Sequence, residues 1–163
     1  MSDLAAPLDV YRDVVRPEWI DHNGHMNVGY YLVVFDFATD EFFRWVGLDA
    51  AHRHAHAITT FCLEAHVTYH REVRAGDPLR FTTRLLAHDD KRIHYFHAMY
   101  HADEGWLAAT NELMSLHVSR ATRRAARWRS CRAARACAPS ASPRCPRLAV
   151  SPPCSSSCPT AAC

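Results

Sequence analysis

From Arg120 to Cys163 this chain lacks any Asp, Glu, His, Lys or Gly, although all seventeen acids, twelve histidines and five glycines lie before that point. Lysine is almost missing from the whole chain, with Lys91 alone against eighteen arginines. Ahead of residue 120 cysteine is nearly absent too, and the single Cys62 rules out a disulfide scaffold, so a reducing cytoplasm is the expected compartment. No apolar run reaches membrane-spanning length. The N-terminus shows no basic segment followed by an apolar one, so no secretory signal is expected.

What is there divides in two. Residues 1–119 hold ten Lys or Arg against seventeen acids, whereas residues 120–163 hold nine Arg, six of the seven cysteines and six of the nine prolines. The tail admits three readings: a basic arm for nucleic acid or a membrane surface, a cysteine framework, or translation in the wrong frame. The cysteines at 131, 137, 145, 154, 158 and 163 contain no CxxC, and no histidine completes a metal set. One Lys against eighteen Arg suggests GC-rich coding, and off-frame reading of such DNA yields Arg, Ala, Pro, Ser and Cys. We take 120–163 as a disordered, frameshifted or non-native tail, too poor in apolar residues to fold alone. No nucleic-acid or membrane partner is expected.

The body, 1–119, reads as one domain. "LDVYRDVV" (8–15) alternates and stops before Pro17, as a strand does. Val28 to Leu48 has helical length and no proline, and Gly47 offers a stop. Asp36, Asp40 and Arg44 recur at i, i+4, i+8 with Glu41 beside them, a narrow polar stripe on a helix otherwise aromatic or aliphatic. Such a helix should be enclosed over most of its circumference. Residues 57–73, 79–88, 92–101 and 105–118 alternate as strands joined by short turns. In 57–73, Leu63, Ala65, Val67 and Tyr69 share one face, and Glu64, His66, Thr68 and His70 the other. Strand, helix, four strands implies an α+β fold, a five-stranded antiparallel sheet wrapped around one long helix.

Just before that helix stands "WIDHNGHMN" (19–27), the densest cluster of proton-handling side chains in the chain. Taken alone, Asp21 or Asn23 could be a turn or cap residue, and Asn27 reads as an N-cap. The pattern "WIDHNGHMNVGYYLVVFDFA", followed by "HVTYHREVRAGDPLRFTTRLL", resembles hot-dog acyl-CoA thioesterases of the 4-hydroxybenzoyl-CoA thioesterase type. Its D-x-N-x-H-x-N spacing is similar to the motif of acyl-carrier-protein thioesterases. The likeness covers about residues 8–118. It implies a hot-dog fold, thioester hydrolysis without cofactor or metal, and a homodimer or dimer of dimers with sites at the subunit interface.

The resemblance also implies roles. Asp21 matches the acid that attacks the thioester or activates water against it, and Asn23 and His25 match polar positions that orient water or the carbonyl. Backbone amides of the first helical turn, about Gly29 to Tyr31, would stabilise the oxyanion. The carrier-protein enzymes place a glutamate where this chain has Thr68, and Glu64 on the same face is the candidate substitute. Arg71, Arg74 and Arg92, near strand ends, are candidates for the CoA phosphates. Of Tyr30, Tyr31, Phe35, His66 and Tyr69 most read as core, and those nearest the loop would wall a short pocket, suited to a small aromatic or cationic acyl group. The extended similarity is to thioesterase domains associated with carnitine breakdown, which implies betainyl-CoA, the ester of glycine betaine, as a substrate beside aryl-CoA.

Other classes are weighed against this. "HRHAH" (52–56) suggests a zinc hydrolase, but no carboxylate brackets it, and His94 lies on the opposite strand face from His97 and His101. A hot-dog dehydratase or hydratase would use His25 with Glu64. A non-catalytic acyl-CoA-binding domain would keep binding when Asp21 is replaced.

Overall fold

The protein is described here by a computed structural model covering residues 7–128. The elements in chain order are β1 (Leu8–Val14), a 3₁₀ turn (Pro17–Trp19), α1 (Val28–Trp45), α2 (Ala50–Ala55), β2 (Ile58–Tyr69), β3 (Pro78–His88), β4 (Arg92–His101) and β5 (Leu107–Ser119). The five strands form one sheet in the order β1-β3-β4-β5-β2, with every pair antiparallel. Strands β1 and β2 are consecutive yet occupy opposite edges, so the helix joining them has to cross a sheet face.

Helix α1 buries Tyr31, Val34, Phe35, Ala38, Thr39, Phe42 and Phe43, a stripe at three- and four-residue spacing. Its first half packs in a cluster with Phe81, Met99 and Ala109, and its second half in another with Ile93, Tyr95 and Leu113. Between the two clusters sits a buried polar clamp. The Thr39 hydroxyl donates to the Phe35 carbonyl at 2.9 Å and therefore accepts from His97 Nε2, also at 2.9 Å. That leaves His97 Nδ1 to accept from the Thr83 hydroxyl at 2.7 Å. Burial lowers the His97 pKa to about 3, so the ring is neutral.

Several expectations change. The helix is less enclosed than its composition implied: Val28, Leu32 and Val33 are 59%, 47% and 38% exposed, on a face beside the open β2 edge. Strand β2 ends at Tyr69, because His70 and Arg71 both turn their amides to the Ala108 carbonyl. The histidine-rich connection contains a short helix, α2, capped by Asp49 accepting from the His52 amide at 2.7 Å.

The composition break at residue 120 is not where the packed chain ends. The Ala126 amide donates to the His117 carbonyl, the Trp128 amide donates to the Asp90 carbonyl, and Arg127 pairs with Asp90 at 2.8 Å. Trp128 also packs against His117 at a tilt of 39°, with centroids 4.4 Å apart. These contacts depend on backbone bonds and one aromatic ring, to which a count of charges and prolines is blind. The rest of the segment read as a non-native tail, including its six cysteines, lies outside the described residues.

Candidate active site

The loop between Trp19 and α1 is closed on itself. Ile20 and Met26 form a bridge, the Asp21 amide donates to the His25 carbonyl, and the Gly24 amide donates to the Asp21 carbonyl. Gly24 takes φ +79°, which the turn requires and other residues resist. Trp19, 4% exposed, anchors one end by stacking on Tyr30 at 5.8 Å. The Met26 amide donates to the Val73 carbonyl and ties the other end to the segment after β2.

This frame holds the Asp21 carboxylate between two donors. Oδ1 accepts from the Asn23 amide at 2.8 Å, and Oδ2 accepts from the Asn27 side-chain amide at 3.2 Å. The Asn23 hydrogen bond above all, then Asn27 and the nearby His25 and His22, hold the carboxyl below the usual carboxylate range. Asn27 is also the helix cap, its Oδ1 accepting from the Gly29 amide at 2.9 Å. One side chain therefore joins the first turn of α1 to the acid. A Cβ at Gly29 would meet Asn27 Oδ1 at 3.3 Å, so glycine leaves room for this cap.

Next to the loop lies a cavity of about 270 Å³ lined by His25, Met26, Val28, Tyr31, Tyr69, His70, Arg71 and Glu72. Tyr31 and Tyr69 meet edge to face at 5.0 Å, and burial raises both phenol pKa values. His25 Nδ1 lies 3.3 Å from the Met26 carbonyl. The Arg71 guanidinium stacks over Trp106, 4.2 Å from the ring centroid.

The structure thus lines this cavity with His25, Tyr31, Tyr69 and Arg71, and joins Asp21 to Gly29 through Asn27 in the loop beside it, but does not assemble every expected residue. Asn23 serves Asp21 through its backbone, and its side chain makes no hydrogen bond among the described residues. The amides expected to be unpaired are in use: Gly29 donates to Asn27 Oδ1 and Tyr30 to the Asn27 carbonyl. Val28, the first helical residue and part of the cavity wall, has an amide with no such acceptor among the described residues.

Tyr30 packs on Trp19 instead of lining the cavity, and Phe35 is wholly buried in the core. Glu64 and Thr68 pair with Met114 and Thr110, on the face opposite to the buried Ala109, Asn111 and Leu113 that α1 covers. Strand alternation turns them, with His66, away from Asp21. Arg74 stands on the loop side but pairs with Glu72 at 2.8 Å. Arg92, bound to Asp89 at 2.6 Å, begins β4 at the end of the sheet away from the loop. Sequence spacing did not reveal that Asn27 holds Asp21, because a six-residue separation across a turn belongs to no regular period.

A long helix laid across a five-stranded antiparallel sheet, with an ionised carboxylate in the loop at its N-terminus, defines a hot-dog thioester hydrolase. The chain belongs to the Thioesterase-like superfamily, whose profile matches residues 15–135. It is 41% identical over 116 residues to a betainyl-CoA thioesterase of Pseudomonas aeruginosa, covering 71% of this chain and 73% of that protein. It is 42% identical over 112 residues to an L-carnitine dehydrogenase/betainyl-CoA thioesterase of Agrobacterium fabrum, covering 69% of this chain but only 23% of that longer protein. A Staphylococcus aureus protein solved in complex with CoA superposes with a TM-score of 0.70 at 33% identity, covering 76% of this chain and 80% of that one. No helix among the described residues is long and apolar enough to cross a membrane.

Proposed function

We propose that this chain hydrolyses betainyl-CoA to glycine betaine and CoA, with Asp21 as the reacting carboxylate and no cofactor. The observation that carries the reading is the Asp21 carboxylate, held ionised by Asn23 and Asn27 at the N-terminus of α1. The likeness to proteins named for betainyl-CoA hydrolysis supports the acyl group.

A thioester carbon is electrophilic and thiolate leaves readily, so a positioned anion suffices. A carboxyl whose pKa is lowered is a weak base, which favours direct attack over abstraction of a proton from water. One Asp21 oxygen bonds to the acyl carbon, CoA thiolate departs, and water cleaves the resulting anhydride to restore the carboxylate. Val28 at the dipole's positive end supplies an amide for the oxyanion. His25, in the cavity wall, orients the carbonyl or the water. Arg71 and Arg74, on the loop side, contact the CoA phosphates.

The chain works as a homodimer in the cytoplasm. Strand β2 is a sheet edge carrying Phe61, Leu63 and Tyr69 at 37%, 52% and 46% exposure, beside the exposed Leu32 and Val33 of α1. Such an edge is a template for pairing with a second copy. The free Cys62 on the same strand fits a reducing compartment. Light scattering is expected to give twice the 18.5 kDa chain mass, and a monomer at micromolar concentration would overturn the dimer. Initial rates on betainyl-, benzoyl-, acetyl- and palmitoyl-CoA test the reaction. Betainyl-CoA is expected to be the best substrate, and a preference for palmitoyl-CoA would sink the reading.

A further inference from the structure

Beside the sheet edge, α1 opens onto a second and larger cavity of about 620 Å³, between its middle turns and strands β2 and β5. Its wall joins Leu32, Val33, Asp36 and Asp40 of α1 to Cys62 of β2, Asn111 of β5 and the ring of Tyr95. Two features mark it as more than a gap under the helix. Asn111 is 1% exposed, yet its buried Oδ1 has no hydrogen-bond partner among the described residues. A carbonyl oxygen so placed is costly unless something of positive character meets it.

The second feature is charge. Asp36 stands at the exposed mouth of the cavity with no hydrogen bond and no ion pair among the described residues, and partial desolvation together with the nearby Asp40 raises its carboxyl pKa. The basic residue in this wall, Arg53, pairs with Asp40 of the same wall at 3.8 Å and donates to the Leu48 carbonyl at 3.1 Å, so Asp36 is the carboxylate it leaves unpaired. The cavity therefore presents an unmatched carboxylate, an unmatched carbonyl oxygen, an aromatic ring and two aliphatic side chains. The Tyr95 and Thr39 hydroxyls in it are already bonded, to Ser115 at 3.0 Å and to the Phe35 carbonyl at 2.9 Å, while Thr59 and Thr60 line its β2 side. A primary ammonium would need three acceptors set around one nitrogen. A methylated ammonium needs negative potential and apolar walls for its methyl groups, which this cavity supplies.

We propose that this cavity is a subsite for a quaternary ammonium group, with Asp36 and Asn111 as the residues that select a cationic acyl chain over a neutral one. The inference rests on the thioesterase reading for its substrate, the charged end of the acyl group, and on the proposed dimer for its place beside the reacting carbon. Antiparallel pairing of two β2 edges brings the Ile58 end of one strand toward the Tyr69 end of the other. The subsite of one chain then adjoins the partner's Tyr69 and with it the small cavity beside the catalytic loop. An acyl group bound as thioester at one subunit would place its cation in the other.

Two measurements on the full chain test this apart from the overall reaction. The first is binding of choline and of its neutral isostere 3,3-dimethylbutan-1-ol, followed by amide chemical shifts. Choline is expected to bind about tenfold more tightly, and Asp36→Asn, at an exposed helical position, to abolish the difference. The second is the ratio of kcat/KM for betainyl-CoA over 3,3-dimethylbutanoyl-CoA, expected to fall about tenfold or more in Asp36→Asn. Equal binding of choline and the alcohol, or a ratio unmoved by the substitution, overturns the subsite. Selective choline binding by a protein that hydrolyses no acyl-CoA upholds the subsite and removes the thioesterase reading. Turnover of both esters at similar rates without choline selectivity does the reverse.

Discussion

Helix α1 has one aspartate in the loop before it and another two turns inside, at a cavity, and the two carboxyls are prepared in opposite ways. Asp21, just before the helix, accepts hydrogen bonds from Asn23 and Asn27 and is held below the usual carboxylate range. Asp36, two turns inside, has no donor among the described residues and is pushed up by burial and by Asp40. The side chains are chemically identical, so the difference lies in how many donors, backbone or side chain, are turned toward each. A loop of open amides satisfies its acid, while a helix keeps its amides for itself and leaves the acid seeking a cation.

The largest expected effect separates these roles. Asp21→Asn should lower kcat/KM by about 10²- to 10⁴-fold while the melting temperature and dimer mass stay close to wild type. A variant within tenfold of wild type would move the chemistry away from this loop. The half-buried loop position makes a folding defect easy to detect by circular dichroism.

The clamp between the two ends gives the next effect. Neutral His97 holds Thr39 of α1 to Thr83 of β3, and its folded pKa of about 3 lies below the value of about 6.5 in the unfolded chain. The unfolded state therefore takes up the proton first as pH falls. The stability this residue protects is complete above about pH 6.5 and is lost progressively toward pH 3. Between pH 6.5 and 5 the loss should be about 2 kcal/mol. Urea denaturation at both pH values checks it, with His97→Gln expected to show a shallower dependence. Equal slopes would mean that the ring is not kept neutral.

The smallest effect sharpens the comparison from the side of Asp21. Asn27→Ala removes the helix cap, which costs about 1 kcal/mol of stability. It also removes one donor to Asp21, so the acid limb of the rate profile should move upward toward the ordinary carboxylate value. In the wild type that limb should lie below it, because the folded carboxyl is held ionised. A limb that stays in place in the variant would assign the lowering to Asn23 alone.

Much of this was legible in the chain itself. Alternation delivered β4 at 92–101 without error and the helix start at Val28. It also put Thr68 on the face opposite to Tyr69, so the distance of Thr68 and Glu64 from the loop follows from the pattern. The cluster at 19–27 pointed to this loop, whose His25 lines a cavity with Tyr69. What stayed hidden depends on contacts between distant segments. The Asn111 carbonyl is conspicuous only once β5 lies beneath α1, and Trp128 matters only because it returns to His117. The exposed faces of Leu32 and Val33 were hidden for another reason, since an apolar helix looks alike whether its own sheet or a second chain covers it.

The amide of Asn27 has a thermal consequence. It fastens the first turn of α1 and helps to steady Asp21 at once, so loosening of that turn also loosens one of the two anchors of the carboxylate. Helix ends loosen before sheets do. On warming, that turn unwinds first and the carboxylate loses its orientation while the strands are still paired. Turnover would then decline at temperatures where the sheet's circular dichroism has not yet changed.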